Sequence, residues 1–222
     1  MIEIVVVGDA EAAARAGAEH LVEAARAGKQ LALSGGSTPG RAFELAAELE
    51  PDWSRAGLWW GDDRAVPPDD ERSNYRLAKE HLLDRLEGLP AEHRIRGELG
   101  AAAAAEAYER ELEGITLDLA LQGIGPDGHT ASLFPGKPSL EERERRVIAS
   151  EPGLEPWVER VTLTIPALCA IPFVLFLVSG EGKADAARRA FTDEPSAGTP
   201  ASLVRGAART VVVLDKAAAR YI

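Results

Sequence analysis

The chain has 222 residues, 45% of them hydrophobic and 27% charged, with a formal net charge of −11. That length suits one large domain with an ample buried core, and the acidic balance excludes general binding to nucleic acid or anionic membrane, which relies on basic surface. The single cysteine, Cys169, excludes an internal disulfide framework and any cysteine-based zinc site.

Residues Ile2 to Val7 form an apolar run read as a first strand. It lacks the basic n-region and the length of a signal peptide, and no stretch approaches the roughly 20 apolar residues that span a bilayer. A cytoplasmic protein without membrane contact is the expectation. Residues 10–27 follow as a helix rich in Ala, Glu and Arg, closed by Gly28. Gln30 to Gly35 reads as a short strand running into Gly36-Ser37-Thr38-Pro39-Gly40, and Arg41 to Leu49 as helix. Ser37 or Thr38 is the expected N-cap, with Pro39 in the first turn. A strand, a loop of small residues and a helix N-terminus together offer free N–H groups to an anion. An ordinary tight turn with a good cap accounts for the same residues. No Lys-Ser/Thr follows, so this is not a Walker loop.

Gly57 to Asp62 is the third strand, and the polar stretch 63–74 after it carries Arg64 and Arg72. Two arginines suit forked phosphate recognition, or they pair with the neighbouring carboxylates. Ser73 or Asn74 caps a helix running to about Leu86; residues 88–100 read as irregular and Ala101 to Glu113 as helix. Leu117 to Gln122 is a strand of the kind buried on both faces. The loop that follows, Gly123-Ile124-Gly125-Pro126-Asp127-Gly128-His129-Thr130, packs an acid, an imidazole and a hydroxyl into a few positions. In open α/β sheets, ligands sit outside the carboxyl ends of the strands. Asp127 and His129 are therefore the leading candidates for chemistry.

Glu141 to Arg146 reads as a solvated helical face or turn, and Arg145 to Ser150 as a short strand. Arg160 to Ile165 alternates at strand period and breaks at Pro166, and Phe173 to Ser179 is the most apolar strand. Gly182-Lys183 opens a helix through Phe191, Thr210 to Asp215 is a last strand, and a short terminal helix begins at Lys216. Lys183 stands out because the chain has five lysines against twenty arginines. It serves as a point charge for a phosphate or as an ordinary surface lysine. Alternation of strands and helices along the whole length predicts one α/β domain, residues 1–222, with a mostly parallel sheet. The strand-end loops then share one edge of the sheet and describe a pocket for a small phosphorylated molecule, with one general base and no metal set.

Four segments together, Ser34 to Pro39, Asp63 to Pro67 with Ser73-Asn74, Gly123 to Pro135, and Thr162 to Pro166, closely resemble the 6-phosphogluconolactonase family. The resemblance runs from about residue 30 to the C-terminus and is most specific from Asp127 to Pro135. It implies a single-domain, Rossmann-like three-layer sandwich of the sugar-phosphate isomerase/deaminase superfamily type. The implied reaction is hydrolysis of 6-phosphoglucono-δ-lactone to 6-phosphogluconate in the oxidative pentose phosphate pathway.

An imidazole, with an ordinary pKa of about 6.5, suits a water-activating base at neutral pH. By the resemblance that role falls to His129, while Asp127 orients the imidazole or holds a substrate hydroxyl. Backbone N–H groups around Gly125 to Gly128, or an arginine, are the expected donors to the developing alkoxide. The phosphate is expected at Gly35, Gly36, Ser37 and Thr38 with Arg72 and Lys183; Arg64, Ser73 and Asn74 complete the substrate-binding set. No cofactor and no metal are implied, and the expected state is a monomer or weak homodimer.

Two departures stand out: Asp62-Asp63-Arg64 replaces the family's usual Asp-Glu-Arg, and Cys169 stands where it usually has Asn. The alternatives are a glucosamine-6-phosphate deaminase or isomerase and a non-catalytic sugar-phosphate-binding regulator. The first is disfavoured because Asp127-Gly128-His129 stands where the deaminase pattern has Asn-Gly-His, and the second because the Asp127/His129 pair is intact. Serine hydrolase chemistry through Ser132 lacks a Gly-x-Ser-x-Gly elbow.

Overall fold

Short apolar runs separated by helices fold into a parallel sheet because each crossover helix returns the chain to the same end. The computed structural model describes residues 2–222. Its strands are β1 (Ile2–Val7), β2 (Gln30–Leu33), β3 (Gly57–Trp60), β4 (Asp62–Arg64), β5 (Ala91–His93), β6 (Leu119–Gln122), β7 (Val147–Ser150), β8 (Arg160–Leu163), β9 (Phe173–Val178) and β10 (Arg209–Asp215). Seven of them form a wholly parallel sheet in the order β1-β10-β9-β6-β2-β3-β5. The chain adds strands outward on one side, through β2, β3 and β5, then returns to β6 and builds out the other way. The β2–β6 junction is thus the reversal point of the strand order, where a crevice opens at the carboxyl ends.

The helices are α1 (Ala10–Arg26), α2 (Ser37–Leu49), α3 (Asn74–His81), α4 (Ala101–Glu111), α5 (Ile165–Ala170) and α6 (Ala184–Phe191). They flank the parallel sheet in a three-layer α/β arrangement. Asp9 starts α1 by accepting the Ala12 N–H at 2.9 Å. The core is built on β2, β3, β6 and β9 with Trp59, Trp60, Phe43 and Phe176 fully enclosed. Tyr108 of α4 fastens the end of β3: its hydroxyl accepts from Trp60 N at 2.7 Å and donates to Trp60 O at 3.0 Å. No helix among the described residues is long and apolar enough to cross a membrane.

Several boundaries differ from the sequence reading. Asp62 leaves the third strand and, with Asp63 and Arg64 of the stretch read as a polar loop, joins a separate antiparallel sheet of order β4-β8-β7. All four residues of β8 are buried, so its polar alternation does not mark a solvent face. A short edge strand, β5, occupies part of the stretch read as irregular. Pro166 does not merely end β8: it sits in the first turn of α5, capped by Thr164, which accepts from Ala167 N at 3.3 Å. Proline is preorganised for that position. The residues after Asp215 form turns in place of a terminal helix.

Candidate active site

The loop leaving β6 is shaped by its glycines. A Cβ on Gly125 would lie 2.0 Å from His129 Nδ1 and 2.5 Å from Asp127 Oδ1, so only glycine lets the loop fold back on itself. Gly128 has φ of +94°, in the left-handed region that side chains disfavour. The fold-back brings Asp127 Oδ1 within 2.6 Å of His129 Nδ1 and 3.2 Å of the His129 N–H. Burial would raise the Asp127 carboxyl, but the hydrogen bond and charge of His129 outweigh it and hold the group below its ordinary value. An ionised carboxylate only accepts, so Nδ1 carries a proton, and in the neutral imidazole the lone pair then lies on Nε2.

Further bonds fasten the chain just beyond His129. Thr130 Oγ1 is 2.8 Å from Gln122 Oε1 and 2.9 Å from Gly123 O, and Ser132 Oγ donates to the buried Asp62 carboxylate at 2.6 Å. The ring lies 4.5 Å from that of Phe134. Within the loop, the Gly125 N–H already donates to His129 O at 2.8 Å and the Gly128 N–H to Gly125 O at 2.9 Å. These two expected alkoxide donors are therefore spent on the loop itself.

Opposite this loop, β4 and β8 pair so that Arg64 and Arg160 stand directly across from each other. Like charges so placed repel. Arg64 is held by Asn74 Oδ1 and by Arg72 O at 3.1 Å; Arg160 donates to Leu154 O at 3.0 Å and Pro156 O at 3.1 Å. In both, the Nε is buried with no hydrogen-bond partner. Burial, followed by the Arg64 charge, lowers the pKa of Arg160, which also lies over the Phe134 ring at 5.3 Å. Arg160 went unrecognised in the sequence, because nothing in the linear chain pairs position 160 with position 64.

Arg64, Arg160, Asn74, His129 and Lys183 all line one cleft of about 190 Å³, floored by Ser34, Gly35 and Gly36. Lys183 is half-buried; desolvation lowers its pKa while the Asp127 charge raises it in part. The Ser34 hydroxyl is buried without a partner. Helix α2 starts at Ser37 with Gly36 as its cap, not Ser37 or Thr38, and no side chain bonds its first N–H groups.

The remaining sequence candidates lie around the cleft. Thr38 Oγ1 pairs with Ser179 Oγ at 2.7 Å, and Ser37 borders a neighbouring depression. Arg72 is drawn away by Asp70 through bonds of 2.8 and 2.7 Å and lies beside that same depression, outside the cleft. Ser73 caps α3 and donates to Asp63 Oδ2 at 3.0 Å, while the N–H groups of Arg64, Asn74 and Tyr75 donate to the same carboxylate. Asp63, the shorter acid, thus ties β4 to the start of α3. Cys169 packs with Sγ 3.3 Å from Leu203 O, and neither residue lines the cleft. Among the described residues, no three His, Cys, Asp or Glu side chains are grouped as metal ligands.

Residues 8–213 match the family described as glucosamine-6-phosphate isomerases/6-phosphogluconolactonase. A 6-phosphogluconolactonase of Streptomyces coelicolor is 36% identical, with 99% of this chain and 94% of the relative covered. The Homo sapiens protein of that name is 40% identical over 89% of this chain and 82% of its own length. Among solved structures, 6-phosphogluconolactonase from Thermotoga maritima superposes with a TM-score of 0.82 at 33% identity, covering 97% of this chain and all of that one (100%). A monomeric glucosamine-6-phosphate deaminase superposes at 0.87 with 18% identity, over 99% of this chain and 100% of the other, and shares the fold.

Proposed function

Since the chain belongs to the glucosamine-6-phosphate isomerase/6-phosphogluconolactonase family, we propose that it is an enzyme hydrolysing 6-phosphoglucono-δ-lactone to 6-phosphogluconate in the cleft between the Asp127/His129 loop and the Arg64/Arg160 pair. The observation that carries the chemistry is the 2.6 Å Asp127–His129 bond, which leaves Nε2 free to act as base. The lactone's dianionic phosphate is held by Arg64, Arg160 and Lys183 with the open first turn of α2. Arg160 takes the part first given to Arg72.

His129 Nε2 removes a proton from water as the water oxygen attacks the lactone carbonyl carbon. Stabilising the tetrahedral alkoxide falls to groups other than the loop's own Gly125 and Gly128 N–H groups, which are engaged. The ring C–O bond then breaks, and the leaving oxygen takes the proton back from the imidazolium. Asp127 holds the required tautomer and stabilises the imidazolium while it exists, as an aspartate does beside a catalytic histidine generally. We take the chain to act as one domain in the cytoplasm without a cofactor.

The test generates the lactone in situ from glucose 6-phosphate with its dehydrogenase and follows proton release above the spontaneous rate. Acceleration is expected to persist in EDTA, because the reading gives water activation to an imidazole; activity lost on chelation and restored by a divalent ion refutes that step. Replacing Lys183 by alanine is expected to raise KM by about 10- to 100-fold, the equivalent of ~1.5–3 kcal/mol for a charge-assisted contact. In the unmodified protein KM should climb on the alkaline side, beginning below the ordinary lysine value of 10.5, as the partly buried ammonium loses its proton. Unchanged KM and product inhibition in Lys183→Ala would return Lys183 to the protein surface.

A further inference from the structure

The two edges of the parallel sheet are finished differently. At one end β5 is only three residues long. Glu92 accepts from the Tyr75 hydroxyl at 3.1 Å, and His93 is bonded to Glu111 at 2.7 Å and stacked on Trp59. Short length and charge are standard ways of blunting a sheet edge. At the other end β1 runs for six residues, Ile2-Glu3-Ile4-Val5-Val6-Val7, in unbroken register with β10. It has no lysine, no proline and no bulge. Helix α1, which follows it, packs over β10, β9 and β2. Val6 is 51% exposed, one of the seven exposed large hydrophobic side chains among the described residues.

We propose that β1 is a self-association edge, pairing antiparallel with β1 of a second copy about a two-fold axis to join the two parallel sheets into one. Charge selects a second copy as the occupant. The chain carries −11 overall, so most of its surface repels another copy, whereas the only ionisable side chain on β1 is Glu3. Arg209 of the adjacent strand already holds Glu3 at 2.8 Å. Directly opposed residues of an antiparallel pair share a face. Ile2, Ile4 and Val6 of one copy therefore meet the same set on the other. In registers centred on Ile4 or Val5, Glu3 meets Val5 or Val7, and no like charges oppose. The edge is complementary to itself, as a two-fold interface requires.

A single strand pair is small beside the roughly 1,600 Å² of a standard interface, so the dimer is expected to depend on concentration. Strands β9 and β10 lie between β1 and β6, so the cleft stays open in both subunits and activity does not depend on pairing. The proposal is independent of the lactonase reading.

Sedimentation equilibrium of the full chain across a wide concentration range tests it. The mass is expected to rise from 23.6 kDa toward twice that value. Val6→Lys and Val6→Asp, which place a charge on the apolar face at an already exposed site, should each hold the mass at the monomer value with lactonase activity unchanged. Leu49→Lys, altering an exposed apolar residue of α2, should leave the dimer intact. A wild-type chain that stays monomeric at its highest soluble concentration overturns the proposal. So does a dimer indifferent to both Val6 variants, or a mass that grows past two copies without closing.

Discussion

Replacing His129 by alanine is expected to lower kcat by about 10²–10⁴, the span that general acid–base catalysis commonly contributes. The expectation rests on geometry more than on residue type. His129 is the one imidazole lining the cleft, its Nδ1 is engaged by Asp127, and Thr130 and Ser132 fasten the backbone beyond it. KM should move far less, because the proposed phosphate contacts are Arg64, Arg160 and Lys183. His129→Gln, closer in size, separates lost chemistry from a damaged loop: it should match the alanine variant in kcat and the parent in melting temperature. The lactone also opens unaided, so that rate is subtracted throughout. A corrected kcat equal to wild type in both variants would make His129 structural and move the search for the base to the carboxylates, Asp127 first.

Gly125→Ala is the second large effect, and it involves no reacting group at all. The new methyl would stand 2.0 Å from Nδ1 of His129, which is pinned by its neighbours and has little room to give. The imidazole or the loop must move by about 1 Å, a misplacement that commonly costs on the order of 10² in rate. We expect kcat to fall by about that factor with KM little changed, and the proton shared by Nδ1 and Asp127 to lose its downfield NMR resonance. Wild-type kcat with that resonance intact would show that the loop accommodates the methyl and that its close fold-back does not matter for catalysis.

Much of this was legible in the linear chain because it depends on local chemistry. The β6 run is apolar on both faces, its loop is dense in glycine and carries Asp127 and His129 two positions apart, and no tertiary information is needed to see that they meet. The parallel sheet followed from alternation in the same way. What escaped depends on pairing at a distance. Arg160 enters the cleft only because β8 lies antiparallel to β4, and the sequence between them gives no sign of that register. Arg72 was lost to a neighbour: a carboxylate two residues away, Asp70, has the shorter reach to it. Ser37 or Thr38 made the better cap on paper, yet Gly36 takes the position with φ of +113°, and the threonine hydroxyl binds Ser179.

The opposed arginines of β4 and β8 have a consequence for how the molecule ages and is handled. Two guanidinium groups face each other with part of their donors unmet, and Asp62 and Asp63 offset only some of the repulsion. On the proposed reading, a phosphate in the cleft relieves that tension and links the small antiparallel sheet to the loop that carries His129. Any ligand that prefers the folded form stabilises it in proportion to the logarithm of its concentration. On the proposed reading, the protein is therefore expected to melt at a higher temperature with 6-phosphogluconate bound than without it.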